Sequence, residues 1–186
     1  VTYTEKVRAV IKVQDGCDRF CSYCLIPYAR GRVRSRNPEK VIEEIKSISE
    51  KGIKEIVIVA QDTSRYGKDI YGQPCLAKLM YEIDNIPGDF YFRIMYLYPD
   101  EVADGLIEAF ASCKKVMHYV DLPIQHISDK VLLAMNRRGD SESIYKIFRD
   151  FKRKIPDCIM RTSLIVGFPG ETQEDFQKLK DFVSSI

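Results

Sequence analysis

Three cysteines fall within eight residues, in the run Gly16-Cys17-Asp18-Arg19-Phe20-Cys21-Ser22-Tyr23-Cys24. Thiolates are soft ligands, so a grouping this tight points to a metal. Iron–sulfur centres are held by cysteine thiolates, one per iron in a four-iron cluster, so three ligands leave one iron open to bind another molecule. An open iron suits chemistry better than storage of an electron. Zinc is the competing reading, and it takes four ligands, commonly two Cys pairs or a Cys/His mix. Here there is one Cys-x-x-Cys, and His118 and His126 lie far along the chain. Ligand count and spacing therefore favour iron–sulfur over a zinc-binding interaction module. The lack of a fourth nearby Cys disfavours a plain electron carrier. Cys75, Cys113 and Cys158 stand alone and are read as packing residues.

The remaining residues must build a frame for that loop. The chain has 186 residues, 45% hydrophobic and 30% charged, enough for one packed domain and too apolar for wholesale disorder. Its 29 basic and 27 acidic side chains leave a net charge of +2, which argues neither for nor against nucleic acid. No apolar run approaches the roughly 20 residues of a membrane span. Residues 1–10 carry Glu5, Lys6 and Arg8 and lack a signal-peptide core. A cytoplasmic protein without membrane contact is expected. The absence of an initiator Met suggests a segment of a longer chain.

Residues 7–13, 55–60, 90–97, 118–124 and 159–166 read as strands. They are mostly apolar with little alternation, the pattern of strands covered on both faces. Helical patterns lie between them. Asn37 and Pro38 open the first, Val41, Ile42, Ile45 and Ile48 form its stripe, and Gly52 stops it. A second follows Pro74 with Leu76, Leu79, Met80 and Ile83, and a third follows Pro99 with Val102, Leu106, Ile107 and Phe110. A fourth, after Ser128, is broken at Gly139. The last starts at Thr172, with Asp175 placed to cap it and Phe176, Leu179, Phe182 and Val183 on one stripe. Strand–helix alternation of this kind requires parallel strands and right-handed crossovers. The expected fold is an α/β domain, an open sheet or partial barrel, with function at the carboxyl ends of the strands. The three cysteines follow the first strand, at that end.

The cysteine motif after a first strand, with Tyr23 before the last Cys, resembles the radical S-adenosylmethionine superfamily. Leu25-Ile26-Pro27-Tyr28-Ala29-Arg30-Gly31 and Arg34-Ser35-Arg36 are similar to the segment after the cluster loop in its methylthiotransferases. Ala60-Gln61-Asp62-Thr63-Ser64-Arg65-Tyr66-Gly67 is similar to the branch that modifies ribosomal protein S12. So are Met95-Tyr96-Leu97-Tyr98-Pro99-Asp100, Pro123-Ile124-Gln125-His126 and Met135-Asn136-Arg137-Arg138-Gly139. The run 161–172, Arg-Thr-Ser-Leu-Ile-Val-Gly-Phe-Pro-Gly-Glu-Thr, is similar to the fifth-strand motif of the family. Residues 26–31 look more like the tRNA-modifying branches.

The resemblance implies a partial parallel β/α barrel, truncated before its sixth strand. It implies a 4Fe–4S cluster on Cys17, Cys21 and Cys24, with S-adenosylmethionine on the open iron. Reductive cleavage to a 5′-deoxyadenosyl radical would serve methylthiolation of an aspartate β-carbon in ribosomal protein S12; a modified adenosine of tRNA is the alternative target. The implied partners are ribosomal protein S12 or the small ribosomal subunit, or tRNA, and an electron donor such as flavodoxin or ferredoxin. Residues 1–186 would be the radical SAM core alone. The family's N-terminal domain with a second 4Fe–4S cluster and its C-terminal TRAM barrel would lie outside this chain.

Tyr23, Gln61, Asp62, Arg161 and the segment Val166, Gly167, Phe168 to Gly170 are the cosubstrate shell that the resemblance suggests. Plainer readings stand beside it. Asp62 would cap the next loop, Arg161 would form a buried salt bridge to a neighbouring strand, and 167–170 would be a strand-to-helix turn. Arg30, Arg32, Arg34 and Arg36 either recognise an anion or form a solvated loop paired with Glu39 and Glu43. His126 is expected to be structural more often than a contact residue.

Overall fold

Alternating burial along Arg8–Lys12 sets the architecture: Ala9 and Ile11 are buried, while Val10 between them is 53% exposed. A computed structural model describes residues 7–186. Its strands are β1 (Arg8–Lys12), β2 (Gln14–Asp15), β3 (Arg34–Ser35), β4 (Glu55–Val59), β5 (Tyr91–Ile94), β6 (Tyr119–Asp121) and β7 (Ile159–Arg161). Its helices are α1 (Ile26–Arg30), α2 (Pro38–Glu50), α3 (Lys68–Tyr71), α4 (Leu76–Asp84), α5 (Asp104–Ser112), α6 (Asp129–Ala134), α7 (Ser141–Lys154) and α8 (Gln173–Ser185). The five strands of the sequence pattern are β1, β4, β5, β6 and β7, and all their pairings are parallel. β2 and β3 form a short antiparallel ribbon that the pattern did not signal.

Two features differ from expectation. β1, β4 and β5 are fully buried on one face, not two. Ala9, Ile11, Ile56, Ile58, Phe92 and Ile94 join α2, α4 and α5 in the core. The opposite face is open enough to carry ions: Glu55 bridges Arg8 at 2.6 Å and Arg93 at 3.0 Å. Such an open inner face belongs to a partial barrel. The sheet is also divided, with order β1-β4-β5 in one piece and β6-β7 in the other. A single bridge, Phe92 to Val116, joins them, with Leu97 N–H on the Asp121 carbonyl at 3.0 Å. The expected strand 90–97 contracts because Tyr96 takes a left-handed conformation at φ 64°. It is held there by Asp121 Oδ2, which accepts from its N–H at 3.0 Å. The expected strand 159–166 also shortens; Thr162 Oγ1 replaces ladder bonds by accepting from Ile124 N and donating to Leu122 O.

The caps follow the sequence closely. Asn37 Oδ1 accepts from Glu39 N at 2.8 Å, with Pro38 in the first helical turn. The break expected at Gly139 separates α6 from α7. No helix among the described residues is long and apolar enough to cross a membrane.

Thr172 and Asp175 form a reciprocal capping box on α8. Asp175 also accepts from Ser128 Oγ at 2.6 Å, tying α8 to the start of α6. The Ser128 hydroxyl first, then Thr172, holds the Asp175 carboxyl well below the usual carboxylate range. A depressed folded pKa gives stability that is present above the ordinary carboxylate range and lost as pH falls through it. Asp175→Asn should lower the Tm at pH 7, and its difference from the parent should shrink below about pH 4. Thermal melts from pH 3 to 7 check this.

Candidate metal centre

The cysteine loop begins with a backbone requirement. Gly16 sits at φ +78°, where a Cβ would lie 2.2 Å from the Arg32 carbonyl oxygen and 2.6 Å from that of Gly31. Only glycine passes there. Cys17 N–H then donates to Gly31 O at 3.1 Å, and Cys24 N–H to Cys21 O at 2.9 Å.

Two sets of contacts fix the loop between the cysteines. On the side of β4 and β5, Arg19 is buried and pairs with Asp62 at 2.7 Å, Asp100 at 2.7 Å and Glu101 at 3.5 Å. On the side of α6, Ser22 N donates to Met135 O at 3.0 Å and Ser22 Oγ to Ala134 O at 2.9 Å. Asn136 Nδ2 donates to Phe20 O at 2.9 Å.

All three cysteines face a cavity of about 220 Å³. Its other walls come from segments that follow strand ends: Gln61 after β4, Tyr96 to Tyr98 after β5, and Pro123 and Gln125 after β6. Arg19, Phe20, Tyr23, Ile26, Pro27 and Arg137 complete it. The non-glycine residues with left-handed backbone among the described residues are Phe20, Tyr96, Gln125 and Asn136. Three of them line this cavity, and the fourth grips Phe20. Strain costing on the order of 1 kcal/mol per residue collects where a site demands it.

Charge in the cavity is unbalanced. Arg137 is 8% exposed, donates to Pro123 O at 2.7 Å and to Tyr23 Oη at 3.2 Å, and has no carboxylate partner among the described residues. Gln61 Oε1 is buried without a hydrogen-bond partner. Burial pushes the Cys17 thiol up, so its thiolate needs a cationic partner. Burial likewise pushes the Tyr23 hydroxyl up to about 12, so it stays protonated.

The expected shell is therefore only partly assembled around the cavity. Tyr23 and Gln61 line it. Asp62 lies behind it, paired with Arg19 and accepting from Ser64 Oγ. Phe168 reaches the rim edge-on against Tyr23, with centroids 6.5 Å apart. Gly167 and Phe168 donate their N–H groups to Glu171 Oε2, and Val166 is exposed. Arg161 stands outside the cavity, paired at 2.6 Å with Asp121 of the neighbouring strand; only the carboxylate end of that salt bridge is buried, because the Arg161 side chain is 45% exposed. His126 is buried; its Nδ1 accepts from Ser128 N and its Nε2 lies 3.4 Å from Glu171, so it braces the 167–171 turn. Arg137, Tyr98, Tyr96 and Gln125 were not singled out one by one in the sequence, though the segments containing them carried the resemblance.

The donor set fits the group that the cysteine motif implies. Three thiols, an orphaned acceptor and an unpaired buried guanidinium face one space. Among the described residues no three His, Cys, Asp or Glu side chains are placed to hold a metal ion by themselves. Three thiols on one cavity are the ligand type and number for a thiolate-held iron–sulfur cluster, with Gln61 Oε1 left for a donor on a small ligand.

A sequence model of the family described as the radical SAM superfamily matches residues 11–183. The ribosomal protein uS12 methylthiotransferase RimO of Clostridium tetani is 51% identical over 186 residues, covering 100% of this chain and 42% of that protein. The protein of the same name from Thermosipho africanus is 48% identical over 182 residues, covering 98% and 42%. The chain thus spans 42% of the length of these curated relatives. Among solved structures, the radical S-adenosylmethionine methyltransferase TsrM of Kitasatospora setae superposes with a TM-score of 0.75 at 19% identity, over 94% of this chain and 34% of that one. Coproporphyrinogen III oxidase HemN of Escherichia coli does so with a TM-score of 0.68 at 17% identity, over 98% and 42%. At these identities the likeness is one of fold.

Proposed function

This chain belongs to the radical SAM superfamily, and from that premise we propose that it is the cluster-bearing core of a methylthiotransferase acting on an aspartate side chain of ribosomal protein S12. The observation that carries the reading is the convergence of Cys17, Cys21 and Cys24 on one cavity at the carboxyl ends of the strands. Identity of 51% along the whole chain to a protein named for uS12 methylthiolation supports the choice of substrate.

Cys17, Cys21 and Cys24 would hold a 4Fe–4S cluster. When bound, that cluster supplies the single electron that splits the sulfonium of S-adenosylmethionine. The chain's own residues do the rest. Arg19 holds the loop against the barrel through three carboxylates. Gln61 Oε1, buried and unpartnered, accepts from the amino group of the cosubstrate. The Tyr23–Phe168 edge contact screens the cavity mouth from water. Arg161, half exposed beside Asp121 and outside the cavity lining, would have donors free for a carboxylate that reaches past the cavity.

The wider reading follows the curated relatives' greater length. The complete protein would carry a second 4Fe–4S cluster elsewhere, receive electrons from flavodoxin or ferredoxin, and work in the cytoplasm beside the ribosome. Likeness of residues 26–31 to tRNA-modifying enzymes makes tRNA the second target to test.

Reconstitution with iron and sulfide under anaerobic conditions, then reduction, should give an EPR signal that changes on adding S-adenosylmethionine. A colourless protein that binds one zinc and ignores the cosubstrate would defeat the reading. Mass spectrometry of S12 and of tRNA after incubation with the full-length enzyme decides the substrate.

A further inference from the structure

Tyr98 is 7% exposed, and the only hydrogen-bond partner of its hydroxyl among the described residues is Cys21 Sγ at 3.8 Å. A buried tyrosine ordinarily aims its hydroxyl at a strong acceptor. A neutral thiol is a weak one. A thiolate is a strong one, and because it carries no proton the hydroxyl must donate to it.

The ring is held from both faces. The Arg19 guanidinium carbon lies 3.8 Å from its centroid and that of Arg137 lies 4.0 Å away. Two guanidinium groups that close to one centroid must occupy opposite faces. Tyr98 N–H donates to Ser64 Oγ at 3.2 Å, which fixes the backbone as well. Nothing else in the cavity needs this stack: Arg19 is already paired with carboxylates, and Arg137 has other hydrogen-bond acceptors.

We propose that Tyr98 is a positioning residue that donates a hydrogen bond to the ligand sulfur of Cys21, with Arg19 and Arg137 clamping its ring to aim that bond. The inference rests on the reading that Cys21 ligates a cluster. Hydrogen bonds to ligand sulfurs stabilise the more electron-rich state and so raise the reduction potential. Tyr98 therefore makes the cluster easier to reduce.

The test is Tyr98→Phe in the reconstituted protein. The variant keeps the ring and both stacked cations and loses only the hydroxyl. Iron content should match the parent, while the midpoint potential moves to a more negative value. The Fe–S(Cys) stretching band in the resonance Raman spectrum should rise as the bond strengthens. Tyr66→Phe removes a buried hydroxyl that bonds the Arg36 carbonyl away from the cavity, so it should leave the potential unchanged. An unchanged potential in Tyr98→Phe at full iron content overturns the inference alone. Equal shifts in the two variants also overturn it, because the effect would then report general loosening. A parent protein that takes up no iron removes the cluster reading and this inference with it.

Discussion

Cys21→Ala is expected to abolish cluster binding while leaving the fold intact. Cys21 supplies one of three thiols round the cavity, and no other Cys can take its place. Cys75 caps α4, Cys113 ends α5, and Cys158 precedes β7. Removing even an outer partner of a metal ligand commonly costs 10–100-fold in affinity, so loss of a ligand itself should exceed about 100-fold. The cost to the fold is far smaller, about 1 kcal/mol for one buried sulfur. Iron and sulfide per protein should fall to background in Cys21→Ala, and 5′-deoxyadenosine formation with them, at a nearly unchanged Tm. Cys113→Ala should do the reverse, keeping iron and losing some stability. Full iron and full cosubstrate cleavage in Cys21→Ala would refute the assignment.

Arg19→Met should be strongly destabilising. Arg19 neutralises Asp62 and Asp100 in a buried setting, and its side chain is itself nearly inaccessible. Removing one partner of a buried ion network leaves uncompensated charge and costs about 3–5 kcal/mol. At roughly 2–4 °C per kcal/mol for a domain of this size, the Tm should drop by about 10 °C. The loss should depend on pH in a definite direction. Burial already pushes Asp100 up, and Arg19 opposes that push. Without Arg19 the folded-state pKa of Asp100 rises further above the unfolded value, so the penalty is full at neutral pH and relieved as pH falls. Urea melts at pH 5 and pH 8 should show the smaller difference from the parent at pH 5. Equal differences at both values would mean that Arg19 acts by packing rather than by charge.

The sequence made some parts of this molecule legible and hid others for identifiable reasons. The cysteine cluster was readable because its three residues are local in sequence, and all three line one cavity. Helix caps were readable because Asn37–Pro38 and Thr172–Asp175 act within one turn. Arg19 was hidden inside the motif: a charged loop residue reads as solvated, and its burial depends on Asp62 and Asp100, 43 and 81 positions away. Arg137 and Tyr98 meet for the same kind of reason, through topology rather than spacing. The apolar run at 7–13 suggested burial on both faces because Val10 resembles its neighbours, yet it points to the open inner face. The shortening of 90–97 depends on Tyr96 adopting left-handed backbone, and that of 159–166 on Thr162 Oγ1 taking over ladder bonds, which these residue types do not announce.

The divided sheet has a thermodynamic meaning. Residues 7–94 and 119–161 hold separate ladders, and between β5 and β6 the backbone has little more than the Phe92–Val116 bridge and the Leu97–Asp121 bond. Above that seam the cysteine loop crosses from one part to the other, through Ser22 to Met135, Phe20 to Asn136, and Tyr23 to Arg137. The loop is thus a crossbeam between two cooperative units. Whatever tightens it on loading stabilises the register of the parts as well as the site, by linkage. The amides of Leu97 and Met117, far smaller reporters than any cofactor, should exchange with solvent more slowly once the thiols are engaged.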